Sequence, residues 1–236
     1  MDIERLRREF PARRIDYYPS IDSTMRAAAG LEAGSVVLAD EQTAGQGRHG
    51  RRWHSEAGSG IYCSIVLKPM PVLTLALGLA TADAIARATG MVCDLRWPND
   101  VMLAGKKVAG ILVQVADGKA IAGIGINVNH ASFPPELASE ATSLRLHTGA
   151  PVSAIDILLA LLPAVDRFVE MDKETILRLF TSSSSYAAGR RVTVAQADGI
   201  VEGTTAGLDP AGFLIVRKDD GTDTLIVAGG VRAAGS

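Results

Sequence analysis

Short β-branched and aromatic runs alternate along this chain with longer alanine- and leucine-rich stretches, and turn residues punctuate them. Ile21-Asp22-Ser23-Thr24 before Met25-Arg26-Ala27-Ala28-Ala29 predicts an N-cap and a helix that Gly30 or Gly34 stops. Val36–Ala39 predicts a strand running into a glycine-rich loop, and 61–67, apolar and bounded by Gly60 and Lys68-Pro69, a buried strand. Leu73–Thr89 carries apolar residues on most faces and predicts a core helix ended by Gly90. Residues 92–97 predict a strand, Pro98-Asn99-Asp100 a turn, 100–113 a hairpin turning near Gly105, and 120–127 a further strand. Helices are expected around 153–170 and 173–186.

Strands that neighbour one another in this way predict an α+β fold, its sheet antiparallel or mixed with helices on one side, rather than a βαβ array. From Arg190 the texture changes. Short runs at 191–195, 199–205, 213–217 and 224–228 are separated by Asp-Gly, Asp-Pro and Asp-Asp-Gly turns. They predict a small β-barrel that packs on the main domain, because a piece of that size buries too little to stand alone. The expected division is 1–187 and 188–236.

At 236 residues, 47% hydrophobic and 21% charged, the chain has an ordinary globular composition. A net charge of −2 excludes a general nucleic-acid or membrane-surface binder and makes any basic cluster local. Cys63 and Cys93 make no disulfide framework and suit buried thiols of a reducing compartment. The charged start does not read as a signal peptide, and the apolar stretch 72–88 contains Asp83 and Arg87, so a cytoplasmic protein is expected.

Within this frame the richest segment is Gly45-Gln46-Gly47-Arg48-His49-Gly50-Arg51-Arg52-Trp53. Its glycines permit close backbone approach to a ligand. Arg48, Arg51 and Arg52 offer donors suited to carboxylate and phosphate oxygens, and Trp53 offers a flat face. A mobile loop closing over a small anion with a nucleotide beside it follows from these residue types. The glycines spell G-x-G-x-x-G, but no helix pattern follows and no acidic residue lies about twenty positions on, so a dinucleotide fold is excluded. Lys106 and Lys107 are followed by Val108 rather than a hydroxyl, which excludes a P-loop. Ser23, Thr24, Gln42, Arg48, Asp100, Lys107 and Asn127 fall at strand ends or turns. Lys107 precedes an apolar run that draws its stem inward, so its cation suits an anionic ligand. The four histidines show no metal-ligand spacing, and no metal site is expected.

Taken in order, Ser23-Thr24, the stretch 41–53, Arg96-Trp97-Pro98-Asn99-Asp100, the stretch 105–112 and Gly123-Ile124-Gly125-Ile126-Asn127-Val128-Asn129 closely resemble the biotin protein ligases, over the whole chain. The resemblance implies a catalytic domain related to class II aminoacyl-tRNA synthetases and an SH3-like C-terminal barrel. It implies a monofunctional enzyme, since about twenty residues precede Ser23 and leave no room for a DNA-binding domain. Biotin would attack Mg-ATP (substrates biotin and ATP, with Mg²⁺), and a lysine of a biotin carboxyl carrier domain would take the biotinyl group from the adenylate. By the same resemblance Ser23, Thr24, Met25 and Gln42 would hold biotin, with Gln46, Gly47 and Arg48 at its carboxyl group and the phosphate. Lys107 would bond the carboxylate. Gly45, Arg51, Trp53, Asn99 and Asn127 would serve the adenylate, and Asp100 with Asn99 the phosphate and incoming lysine. Lys107, Arg48 and Asp100 would be catalytic. Monomer and homodimer both stay open.

Met25 stands where relatives often have Asn, and Gln46 where many have Arg, which leaves one cation fewer in the loop. Two rivals remain: a lipoate or octanoate ligase on the same fold, and a biotin sensor that binds without releasing pyrophosphate.

Overall fold

The computed structural model describes residues 1–196 and 199–234. The expected Asp198-Gly199 turn falls partly outside them at Asp198, as do the last two residues of the expected C-terminal barrel.

Helix α1 (Ile3–Glu9) is followed by β1 (Ile15–Tyr18), α2 (Thr24–Ala28) and β2 (Val36–Ala39). After the glycine loop come β3 (Gly60–Leu67), α3 (Leu73–Thr89), β4 (Asp94–Arg96), β5 (Asp100–Leu103), β6 (Lys106–Ala116) and β7 (Lys119–Asn127). Two short helices, α4 (Pro135–Ala138) and α5 (Leu144–Thr148), lead to α6 (Ala154–Val169) and α7 (Lys173–Ser182). The described strands to this point form a seven-stranded sheet in the order β1-β2-β3-β7-β6-β5-β4. It is mixed, because β1 runs parallel to β2 while the remaining pairs are antiparallel.

Helix and strand limits follow the residue chemistry. Gly90 ends α3 at φ +76°, a backbone region that a side chain disfavours. Ser153 and Asp172 cap α6 and α7 by accepting from Asp156 N and Thr175 N. Helix α7 stops at Ser182, short of the expected 186, inside the polar Ser182–185 run. Residues 92 and 93 lie outside β4. Helix α1, strand β1 and the last strand, Gly230–Ala233, escape sequence reading because each is short and its apolar positions are few.

The sheet has two unlike faces. Val36, Leu38, Ile61, Cys63, Ile65, Ile111 and Ile124 point into the large apolar core beneath α3 and α6. Val37, Val66 and Ile121 point the other way, into a small cluster with Met25 and Ala28 of α2. Period-2 alternation therefore puts α2 opposite the other helices, which corrects the expectation that the helices share one side. The face beside α2 is only partly covered.

The C-terminal module is a five-stranded antiparallel sheet of β8 (Ala188–Gln196), β9 (Gly199–Leu208), β10 (Leu214–Arg217), β11 (Asp223–Ile226) and β12 (Gly230–Ala233), in the order β11-β10-β9-β8-β12. Its buried Val192, Val194, Leu214, Val216, Ile226 and Val231 join the main core without a break. The expected Asp-Pro turn is real: Asp209 Oδ1 accepts from Ala211 N and Phe213 N at 2.9 and 2.8 Å. Across the junction Trp97 Nε1 donates to Gly212 O at 2.9 Å, and Arg232 pairs with Glu140 at 2.8 Å. Among the described residues no helix is long and apolar enough to cross a membrane.

Candidate active site

On the partly covered face of the sheet lies a narrow cavity of about 50 Å³, walled by α2, the glycine loop, β3, β6 and β7. One end is uncharged and polar. Thr24 N and Oγ1 both donate to Gln42 Oε1 at 2.9 and 3.0 Å, Thr24 Oγ1 meets Ser64 Oγ at 2.8 Å, and Gln42 Nε2 donates to Ser55 Oγ at 3.1 Å. Ser23 occupies the N-cap of α2, but its side chain makes no cap bond. Its Oγ is buried without any partner, on the cavity wall. A buried hydroxyl left unsatisfied costs about 1–3 kcal/mol, so this one is kept for something that enters.

The middle of the cavity is apolar and lined by Met25, Leu112 and the glycines Gly110, Gly123 and Gly125. Met25 lies close over Gly123, where an added Cβ would meet its Sδ at 2.8 Å. Tyr62 and the glycines Gly110, Gly123 and Gly125 belong to this wall, Ser55 and Ser64 stand behind it as partners of Gln42 and Thr24, and none was among the expected site residues. Their signal was strand alternation, which sets Tyr62 and Ser64 opposite Cys63.

The far end is cationic. Lys107 Nζ pairs with Asp100 Oδ1 at 2.5 Å, and Arg96 Nη2 holds Asp100 Oδ2 at 2.8 Å. Burial alone would raise the Asp100 pKa, but Lys107 and Arg96 outweigh it and hold the group below the usual carboxylate range. Lys107 reaches this place through a bulge. Against β5 the register of β6 slips between Val101↔Ala109 and Met102↔Lys107. Val108 and Ala109 are consequently both in the core, and Lys107 is turned onto the cavity face. Its backbone is fixed as well, because Lys107 N donates to Glu140 O at 2.8 Å and Lys107 O accepts from Thr142 N at 2.9 Å.

The glycine loop is folded down on the sheet. Trp53 N donates to Gly45 O at 3.0 Å, Gly47 N to Arg51 O at 2.7 Å, and a bridge joins Gln46 to Arg52. Residues Arg48–Gly50 form a 3₁₀ turn with His49 at φ 55°. The Trp53 ring lies over Gly110 and Gly125, which pair across β6 and β7. A Cβ at Gly125 would come within 2.5 Å of Trp53 Nε1. Lys107 Nζ stands 5.2 Å from the Trp53 ring centroid. So placed, the loop roofs a cavity of about 50 Å³, space for a few waters.

Arg48 Nη1 donates to Asn99 Oδ1 at 3.0 Å and to Gly229 O of the C-terminal module at 3.4 Å. Burial lowers its pKa, opposed by Asp100 and reinforced by Arg51. Asn99 Nδ2 in turn donates to Ile111 O at 3.0 Å. Arg48 and Asn99 also line a second cavity of about 390 Å³ between β6 and the module.

The structure thus brings Ser23, Thr24, Met25, Gln42, Gln46, Gly47, Arg48, Trp53, Asn99 and Lys107 to one cavity. Gly45 is buried beneath the loop, against Ser55 and Gln42. Arg51 is exposed at the loop's edge. Asp100 sits behind Lys107. Asn127 is buried and bound elsewhere, its Nδ2 donating to Thr142 O at 3.0 Å and Lys107 O at 3.5 Å. The absence of metal-ligand spacing holds along the sequence but not in space, for His54, Glu56 and His130 come together beside the loop.

Against proteins of known family, residues 17–130 match the model of the biotin/lipoate A/B protein ligase family, and 188–231 that of the biotin protein ligase C-terminal domain. The bifunctional ligase/repressor BirA of Bacillus spizizenii is 33% identical over 92% of this chain and 73% of its own length. The biotin–[acetyl-CoA-carboxylase] ligase of Paracoccus denitrificans is 33% identical over 86% of this chain and 92% of its own. Among solved structures, the Aquifex aeolicus biotin protein ligase in complex with biotin and ATP superposes with a TM-score of 0.85 at 31% identity, covering 94% of this chain and 99% of that one.

Proposed function

The chain belongs to the biotin protein ligase family, and from that premise we propose that it joins biotin to ATP as biotinyl-5′-AMP. It then passes the biotinyl group to a lysine of a biotin carboxyl carrier domain, in a biotin-dependent carboxylase. The observation that carries this reading is the cavity's sequence of environments: an unpartnered buried Ser23 hydroxyl, an apolar middle and a cationic end. Biotin has the matching order, with a polar ureido ring, an aliphatic chain and a carboxylate.

We assign Ser23, Thr24 and Gln42 to the ureido group and Met25 to the chain. Lys107 takes the carboxylate: its ammonium has three donors, of which Asp100 uses one. The biotin carboxylate attacks the α-phosphorus of ATP, and the bond to pyrophosphate breaks. Two anions must meet for this, so Lys107, Arg48 and Arg51, with the Mg²⁺ that accompanies the nucleotide, lower their repulsion. The amine of the carrier lysine, once it has lost a proton, then attacks the acyl carbon and AMP leaves. Gly45, Gln46 and Gly47 let the loop close and exclude water from the anhydride, and Trp53 covers the adenylate. Asn99 orients Arg48. Asp100 and Asn127 act as positioning residues for Lys107, one through its ammonium and the other through its carbonyl. We place the catalytic unit in 1–187 and the module in 188–236, and the action of the protein in the cytoplasm, where Cys63 and Cys93 stay reduced.

The test is to incubate the protein with biotin, Mg-ATP and a carrier domain and to weigh the carrier. A gain of one biotinyl group that requires ATP is expected, falling by orders of magnitude with Lys107→Ala. Modification only with lipoate or octanoate, or biotin binding with no transfer and no pyrophosphate, overturns the reading.

A further inference from the structure

His54 and Glu56 follow Trp53 on the strand-side stem of the loop, and His130 follows β7. These residues lie 76 positions apart at the extremes, yet His54, Glu56 and His130 each offer one ligand atom, all within 4.8 Å of one another. His130 is fully buried, and its Nδ1 has no hydrogen-bond partner. Its ring is held in place by stacking on Phe133 at 5.0 Å, and its carbonyl by Ser143 Oγ at 2.7 Å. Tyr62 Oη stands 3.5 Å from Nε2 and donates to Glu56 O at 2.9 Å, so it can accept from the second ring nitrogen. A ligating histidine ordinarily has such a partner on its other nitrogen. Neither histidine nor Glu56 has a part in the ligase reading.

We propose that His54, Glu56 and His130 form a site for a divalent transition ion of the zinc class, which pins the stem of the catalytic loop to the end of β7. Two imidazoles and one carboxylate are a donor set that suits Zn²⁺, with a water completing the shell. Ligand atoms around a tetrahedral zinc stand about 3.3 Å apart, so atoms as much as 4.8 Å apart must close by up to about 1.5 Å. The exposed Glu56 side chain can approach the imidazoles by a change of rotamer, and half-buried His54 can turn toward buried His130.

The consequence is mechanical. His54 is bonded directly to Trp53, so an ion at this site holds the tryptophan end of the loop while leaving the Gly47–Gly50 tip free.

The experiment is calorimetric titration of the chelator-stripped, tag-free full chain with Zn²⁺, repeated with Co²⁺ followed by its visible absorption. One ion per chain is expected at about micromolar Kd or tighter. Because His130 is fully buried, its replacement also tests folding, so the test rests on His54→Ala and Glu56→Gln, each with its fold checked by circular dichroism. Each should weaken binding about tenfold or more. Trypsin cleavage at Arg51 and Arg52 should slow on adding Zn²⁺ to the parent protein and not to His54→Ala. No stoichiometric binding, or affinity unchanged in both variants, overturns the site. Binding without protection from trypsin overturns the pinning of the loop.

Discussion

Single residues decide the shape of this site more than their side chains advertise. Gly125 matters for what it lacks: a methyl there would press on the Trp53 indole and lift it from the sheet. Overpacking of this kind costs about 1–3 kcal/mol. Gly125→Ala is therefore expected to weaken retention of biotin and its adenylate about ten- to a hundredfold, measured by calorimetry and by adenylate dissociation. Unchanged affinity would show that the ring does not need its glycine bed. Asp100 matters through its pairing. Its carboxyl is held below the usual range, so its contribution to stability is complete above about pH 4 and is lost as pH falls through the depressed value. Asp100→Asn should destabilise the protein at neutral pH, by leaving Lys107 and Arg96 uncompensated, and the difference from the parent should shrink at acid pH. Denaturant midpoints between pH 2 and 7 check this, and a gap that widens in acid would refute it.

At the scale of elements the glycine loop and the β6 bulge divide the work. The bulge turns one lysine to the cavity, and the loop carries the remaining cations over it. Gln46 joins the loop's own bridge to Arg52. Gln46→Arg is expected to slow release of the adenylate, because it adds a cation to a half-buried wall. Stopped-flow comparison of the two off-rates tests that, and equal rates would remove any electrostatic part for position 46. Both elements show what sequence reading can and cannot reach. The loop was legible because glycine, arginine and tryptophan announce their uses. Lys107 was legible only as a residue before an apolar run. Its orientation depends on Val108 and Ala109 sharing a face, and simple alternation would have sent it to the core. Asn127 was assigned to the nucleotide, but its amide is spent on two carbonyls, a use that no local pattern signals.

For the molecule as a whole, the sheet is an insulating layer with packing on one side and chemistry on the other. Strand and helix limits such as Leu73–Thr89 could be read because helix caps and β-branched runs are local. The position of α2 across the sheet, and the meeting of His54 with His130, are long-range outcomes and could not. The C-terminal module is fastened to this body at Trp97, whose indole donates to Gly212 O. Trp97→Phe keeps the ring but leaves a buried carbonyl unmatched, and should lower stability by about 1–3 kcal/mol in urea. An unchanged midpoint would mean that apolar packing alone holds the module.

The chain's two tryptophans are placed so differently that they work as separate optical reporters. Trp97 is sealed in the junction and hydrogen-bonded. Trp53 lies under the loop beside the Lys107 ammonium, its own N–H unmatched. In Trp97→Phe the remaining emission comes from Trp53 alone. Its colour and intensity then follow the opening and closing of the loop in real time, without a dye and without touching the residues that bind.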